Sequence, residues 1–178
     1  MAPFVKRGER EIWSGAVISV AEGTFVAPDG SEFQRDLVHH PGAVSVVPVD
    51  GDEAVLVRQY RAAVDLEVLE IPAGKRDVAG EAPEVTAHRE LAEEVGLAAG
   101  RLEELARFHN SIGFSDELSH VYLATELTPV PQDLQGVEEQ HLTVERIALA
   151  DVGRLVAAGE LVDAKTIIGL LLARDRLA

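Results

Sequence analysis

Three carboxylates, Glu90, Glu93 and Glu94, stand three and four residues apart within Glu81 to Leu97, EAPEVTAHRELAEEVGL. On a helix this spacing crowds them onto one face. Like charges that close repel, so the arrangement calls for something cationic among them. Oxygen-only ligands on a rigid helix suit a hard ion, with magnesium or manganese the best fit. The competing reading, an acidic amphipathic helix lying on the surface, explains the charge but not the clustering.

The spacing works only if the segment is helical, and its ends support that. Pro83 suits a first helical turn and Gly96 a C-terminal cap, while Ala87, Leu91 and Val95 form an apolar stripe expected opposite the carboxylates. Upstream, residues from about Glu11 to His40 read as β-structure folded at the turn Pro28-Asp29-Gly30-Ser31. A second hairpin runs from Ala43 to Val49, turns at Asp50-Gly51-Asp52 and returns through Ala54 to Tyr60. Glu67 to Ile71 is a short strand ending at Pro72-Ala73-Gly74. Downstream, Leu118–Leu127 and Leu142–Leu149 read as strands around a polar loop, Thr128–Gln140. Asp151 and Asp163 stand where N-caps belong, before helices Val152–Ala158 and Ala164–Arg176. The expected class is α+β: a mixed sheet with a central helix and C-terminal helices over residues 42–178, preceded by a β-rich segment over 1–41.

Composition removes several function classes. The net charge of −15 opposes a nucleic-acid surface, which needs a basic footprint. It also repels anionic substrates unless bound cations and a few arginines reverse the field locally. The 178 residues contain no cysteine, which excludes disulfides and thiolate chemistry and fits a reducing cytoplasm. MAPFVKRGEREIW lacks the apolar core of a signal peptide, and no apolar run nears the roughly 20 residues that span a bilayer. A soluble, cytoplasmic protein without membrane or nucleic-acid partners is expected. The six histidines show no zinc-site spacing, and neither Ser111 nor Ser115 carries the signature of a nucleophile.

With Gly74 upstream, the pattern Glu81-x7-Arg89-Glu90-Leu91-x-Glu93-Glu94-x-Gly96-Leu97 closely resembles the signature of the Nudix hydrolases. Every named position matches; six residues rather than five separate Gly74 from Glu81, in the loop before the helix. The resemblance implies a Nudix-type α/β/α sandwich and a pyrophosphohydrolase. It places the Ala73 carbonyl with Glu90, Glu93 and Glu94 on Mg²⁺, with Mn²⁺ as a substitute, and gives Gly74, Glu81, Arg89 and Gly96 structural roles in the motif.

The flanks Val57-Arg58-Gln59-Tyr60-Arg61 and Leu69-Glu70-Ile71-Pro72-Ala73-Gly74 look like the ADP-ribose pyrophosphatase branch. That likeness implies cleavage of ADP-ribose to AMP and ribose 5-phosphate by a homodimer paired through the N-terminal β-segment. Arg61 would meet a substrate phosphate, with Arg58 and Glu70 near the nucleotide. A catalytic base is expected on the loop Gly136-Val137-Glu138-Glu139-Gln140, as Glu138 or Glu139. Where many ADP-ribose hydrolases carry Ser-Pro-Gly and a later glutamate, this chain reads Ser111-Ile112-Gly113 and Glu117. Glu117 is thus a candidate substrate or metal contact, on a loop that Ile112 frees from proline's fixed φ. Trp13 is expected in core or interface packing, with stacking on adenine as the alternative. The alternatives for the whole chain are another nucleoside diphosphate sugar such as GDP-mannose, or a nucleotide-binding regulator without catalysis.

Overall fold

The computed structural model describes residues 3–137 and 139–178 and divides the chain into two compact units. Of the described residues, the first holds 3–42 and 109–118, the second 43–108, 119–137 and 139–178.

In the first unit, β1 (Val5–Ser14), β2 (Ser19–Val26) and β3 (Glu32–His39) form an antiparallel sheet in the order β1-β2-β3. The expected turn is present, with Asp29 Oδ1 accepting from the Ser31 N–H (3.0 Å) and hydroxyl (2.6 Å) and Gly30 at φ 89°. β1 begins six residues before the expected β-structure. Its charged sequence, VKRGEREIWS, carries no alternating signal because all ten residues are exposed. Segment 109–118 lies along β3: the Val38 N–H donates to the Phe114 carbonyl (2.7 Å), and the Asp116 N–H to that of Val38 (3.2 Å). His39 Nδ1 meets Asp116 Oδ2 at 2.5 Å and its Nε2 meets Glu9 Oε2 at 3.1 Å.

The second unit is built on a mixed sheet of β4 (Ala43–Asp50), β5 (Glu53–Arg61), β6 (Leu66–Glu70), β7 (Ala73–Lys75), β8 (Leu97–His109), β9 (Leu118–Pro129) and β10 (Thr143–Ala148). The order is β10-β5-β4-β9-β8, with β6 on β5 and β7 on β4; β4 and β9 run parallel. Helices α1 (Pro83–Val95), α2 (Val152–Ala157) and α3 (Ala164–Leu177) complete it. Strand alternation splits the apolar run of β4 between two cores. Val44 and Val46 pack with Ala87 and Leu91 of α1, whereas Val47 and Val49 pack with Val152, Leu161 and Leu170 on the opposite face. The result is the expected α/β/α layering.

Two local expectations need correction. Asp151 does not cap α2: it closes a 3₁₀ turn over Leu149–Asp151, has helical φ and ψ, and makes no side-chain cap bond. β8 was not expected, because LAAGRLEELARFH mixes Gly and Ala with clustered charge and lacks clear period-two alternation. Asp163, by contrast, caps α3 as anticipated, accepting from the Thr166 N–H.

Candidate active site

Helix α1 starts at Pro83 and ends at Val95, capped by Gly96, whose φ of 64° is the left-handed conformation that glycine allows. Its carboxylates do not lie opposite the apolar stripe. Glu90 and Glu94 are buried beside Ala87 and Leu91, at 8% and 3% exposure, under β7 and the turn before it. The approach is very close at Gly74, where any Cβ would overlap the Glu90 carboxyl group. Here glycine is needed for space rather than for φ. The adjacent Ala73 N–H donates to Glu94 Oε2 at 3.0 Å. Burial, first, and the charge of Glu93 and Glu139 push Glu90 up to about 7, against the pull of Arg89. Burial likewise drives Glu94 to about 8, with Glu90 and Glu139 adding to it while the Ala73 N–H and Arg61 oppose.

The cation nearest this cluster is Arg89. Its Nη1 lies 2.8 Å from Glu90 Oε1 and 3.0 Å from Glu93 Oε2, and its Nη2 lies 3.7 Å from Glu81 Oε2. Glu81 also accepts from the Thr86 hydroxyl (2.7 Å), which fastens the loop before the helix to its first turn. Among the described residues no three Asp, Glu or His side chains already converge as a metal cage. The donors nevertheless fit a hard divalent ion. They are all oxygen, two are buried and charge-starved, and Gly74 brings the backbone of β7 against them. Positive charge there would offset the burial and the mutual repulsion that raise both carboxyls.

Arg61 and Glu70 are joined by a two-pronged pair, Nε to Oε1 at 2.6 Å and Nη2 to Oε2 at 2.8 Å. Glu70 is buried, and the Arg61 charge reaches Glu94. Arg58 stands apart. Strand alternation puts it on the other face of β5, where it grips Glu145 of β10 (2.6 and 3.2 Å). Glu139 begins a 3₁₀ turn and accepts from the N–H groups of Gln135 (2.8 Å) and Gly136 (3.2 Å). Glu138 lies outside the described residues. Glu117 belongs to the first unit, its N–H donating to Ser115 Oγ and its carbonyl meeting the His109 ring. Ile112 in the same loop is 83% exposed.

Two features here had no sequence signal. The last carbonyls of α1, which a helix cannot satisfy internally, take donors from the loop after β9. Gln132 Nε2 donates to the Glu94 carbonyl and the Asp133 N–H to that of Glu93 (3.3 Å). The other is Thr166 of α3, whose hydroxyl accepts from the Ile71 N–H. Contacts from distant chain segments leave no mark in local spacing.

The NUDIX domain profile matches residues 39–168, most of the chain. The chain belongs to the Nudix family. This Nudix chain is 40% identical over 159 residues to the ADP-ribose pyrophosphatase of Bacillus subtilis (strain 168), covering 89% of itself and 85% of that protein. It is 39% identical over 159 residues to the ADP-ribose pyrophosphatase of Mycobacterium tuberculosis (strain ATCC 25618 / H37Rv), covering 89% and 77%. The crystal structure of an ADP compounds hydrolase shares the fold, with a TM-score of 0.86 over 99% of this chain and 95% of that one at 23% identity. Nudix hydrolases work with divalent metal ions, in keeping with the donor set on α1.

Proposed function

We propose that this Nudix hydrolase cleaves the diphosphate bond of ADP-ribose, giving AMP and ribose 5-phosphate. The observation that carries the reading is the pair of buried carboxyl groups, Glu90 and Glu94, set against Ala73–Gly74 beside the Arg61–Glu70 pair. Relatives named ADP-ribose pyrophosphatase at about 40% identity support the choice of substrate.

Glu90, Glu93, Glu94 and the Ala73 carbonyl would hold Mg²⁺, with Mn²⁺ able to substitute. Bound there, the ion supplies charge neutralisation for the diphosphate and acidifies a coordinated water. Arg89 and Glu81 brace the loop and helix. Arg61 offers a forked, permanently charged donor to a phosphate oxygen, and Glu70 holds that fork in its plane until substrate arrives. Glu139 is the candidate base, its carboxylate steered by the Gln135 and Gly136 N–H groups, with Glu138 sharing the assignment. Arg58, with Glu70, is assigned to the nucleotide end of the substrate, and Glu117 to a contact with substrate or metal.

We assign residues 1–41 to dimerisation and 42–178 to the hydrolase domain. β1 supports this division: it is an edge strand, exposed along its length, that presents Ile12 and Trp13. The described helices include none long and apolar enough to cross a membrane. The cysteine-free sequence suits a reducing, cytoplasmic place of action.

A comparison of kcat/KM for ADP-ribose, GDP-mannose and UDP-glucose with saturating Mg²⁺ tests the assignment. ADP-ribose is expected to lead the panel. A large preference for GDP-mannose would overturn the substrate, and tight binding of a nucleotide sugar without turnover would overturn the enzyme.

A further inference from the structure

We propose that Thr166 is a positioning residue for the metal-bearing turn 71–74, holding it in register with Glu94 from the opposite side of the sheet. The inference rests on the reading of Ala73, Glu90 and Glu94 as metal-binding groups. Ile71 follows the last paired residue of β6, and its N–H has left the β5–β6 ladder, which ends at Glu70. A buried N–H needs a partner, and this one donates to Thr166 Oγ1 at 3.0 Å. The hydroxyl cannot turn away, because its own proton goes to Asp163 Oδ2 at 2.8 Å, the oxygen that also accepts the Thr166 N–H at 2.9 Å. Lys165 Nζ, 2.7 Å from Asp163 Oδ1, fixes the other oxygen.

The consequence reaches the site in three residues. The Pro72 carbonyl accepts from the Val46 N–H at 2.9 Å, and the Ala73 N–H donates to Glu94. These three bonds anchor the turn between Ile71 and Ala73, and Thr166 supplies one of them from α3. Gly169, one turn along from Thr166, makes the contact possible. It seats the helix against Ile71, Val47 and Val121, where a Cβ would stand only 3.0–3.1 Å from their side chains. The capping residue of α3 thus does more than start a helix. It aims a hydroxyl at the backbone that presents Ala73.

The test uses the full chain and three variants: Thr166→Val, which keeps shape and loses the hydroxyl, Thr166→Ser, which keeps the hydroxyl, and Asp163→Ala, which keeps the hydroxyl but removes what aims it. Mn²⁺ binding to the substrate-free protein is read from the EPR signal of free Mn²⁺, beside the Mg²⁺ dependence of turnover and the melting temperature. Thr166→Val should weaken Mn²⁺ binding and raise the half-activating Mg²⁺ concentration by about 10–100-fold, the usual effect of losing a group that orients a metal ligand. Its KM for ADP-ribose at saturating Mg²⁺ should move much less, and Thr166→Ser should restore both metal responses. If Thr166→Val does not fold, Asp163→Ala carries the comparison, with a shift in the same direction expected. Mn²⁺ binding by the folded variant within about three-fold of wild type overturns the inference. Wild-type protein that binds no Mn²⁺ overturns the metal assignment itself, and this inference with it.

Discussion

Replacing Glu94 by Gln should make the metal-free protein more resistant to alkaline pH while abolishing its chemistry. Glu94 titrates at about 8 rather than the ordinary 4.5, chiefly because it is buried. A carboxyl raised on folding contributes stability that is complete below the unfolded value and is lost as pH climbs through the folded one. Between about pH 5.5 and 8.5, Glu94 alone should therefore cost the metal-free fold about 3 kcal/mol. For a chain of this size that is roughly 6–12 °C in melting temperature. Glu90, held at about 7, adds in the same direction. Glutamine keeps the shape and an oxygen for the Ala73 N–H, yet has nothing to ionise. Thermal unfolding in EDTA at both pH values measures the effect: wild type should lose far more stability than Glu94→Gln as pH rises. Excess Mg²⁺ should return the loss to wild type only, since binding to the native state raises stability by mass action. Equal pH slopes for the two proteins would refute the claim that Glu94 is a buried, charge-starved ligand.

Other perturbations probe the same architecture. Gly74→Ala should force the Glu90 carboxyl aside, lowering kcat by at least about 100-fold while overpacking costs about 1–3 kcal/mol, read by steady-state kinetics and melting on one preparation. Arg61→Ala strands the buried Glu70 carboxylate and should destabilise the fold by about 3 kcal/mol; chemical denaturation should show most of that loss recovered in the Arg61→Ala, Glu70→Gln double variant. In the first unit, the hydrogen bond to Asp116 raises the His39 pKa above 6.5, against partial desolvation. His39 thus stabilises the loop 111–117 while protonated and loses that contribution as pH rises through its raised value. An NMR titration of the His39 ring should give a midpoint above 6.5 that falls in Asp116→Asn.

Helix α1 was legible in the sequence because its signals are local: Pro83, Gly96 and carboxylates at helical spacing all lie within one segment. The same holds for Asp163, whose capping bond spans three residues. The burial of Glu90 and Glu94 was not legible, since acidic residues ordinarily mark a solvated face. Only the packing of Gly74 onto α1 shows that this helix buries two stripes at once. Arg89 was expected as a brace, but its place between Glu90 and Glu93 appears only in three dimensions. Arg58 and Arg61 look equivalent as neighbours in a motif, yet strand alternation sends them to different faces and different carboxylates. β1 and β8 escaped because exposed charge and small residues erase the period-two pattern.

The central claim is metal-dependent cleavage of a diphosphate at the α1 carboxylates, and ³¹P NMR of ADP-ribose incubated with the protein tests it most directly. With Mg²⁺ present, the coupled diphosphate signals should vanish and two phosphomonoester signals appear together, one from AMP and one from ribose 5-phosphate. Without metal, or with Glu94→Gln, the diphosphate should persist. A diphosphate that survives wild-type protein and Mg²⁺, or that Glu94→Gln cleaves at the wild-type rate, would contradict the account.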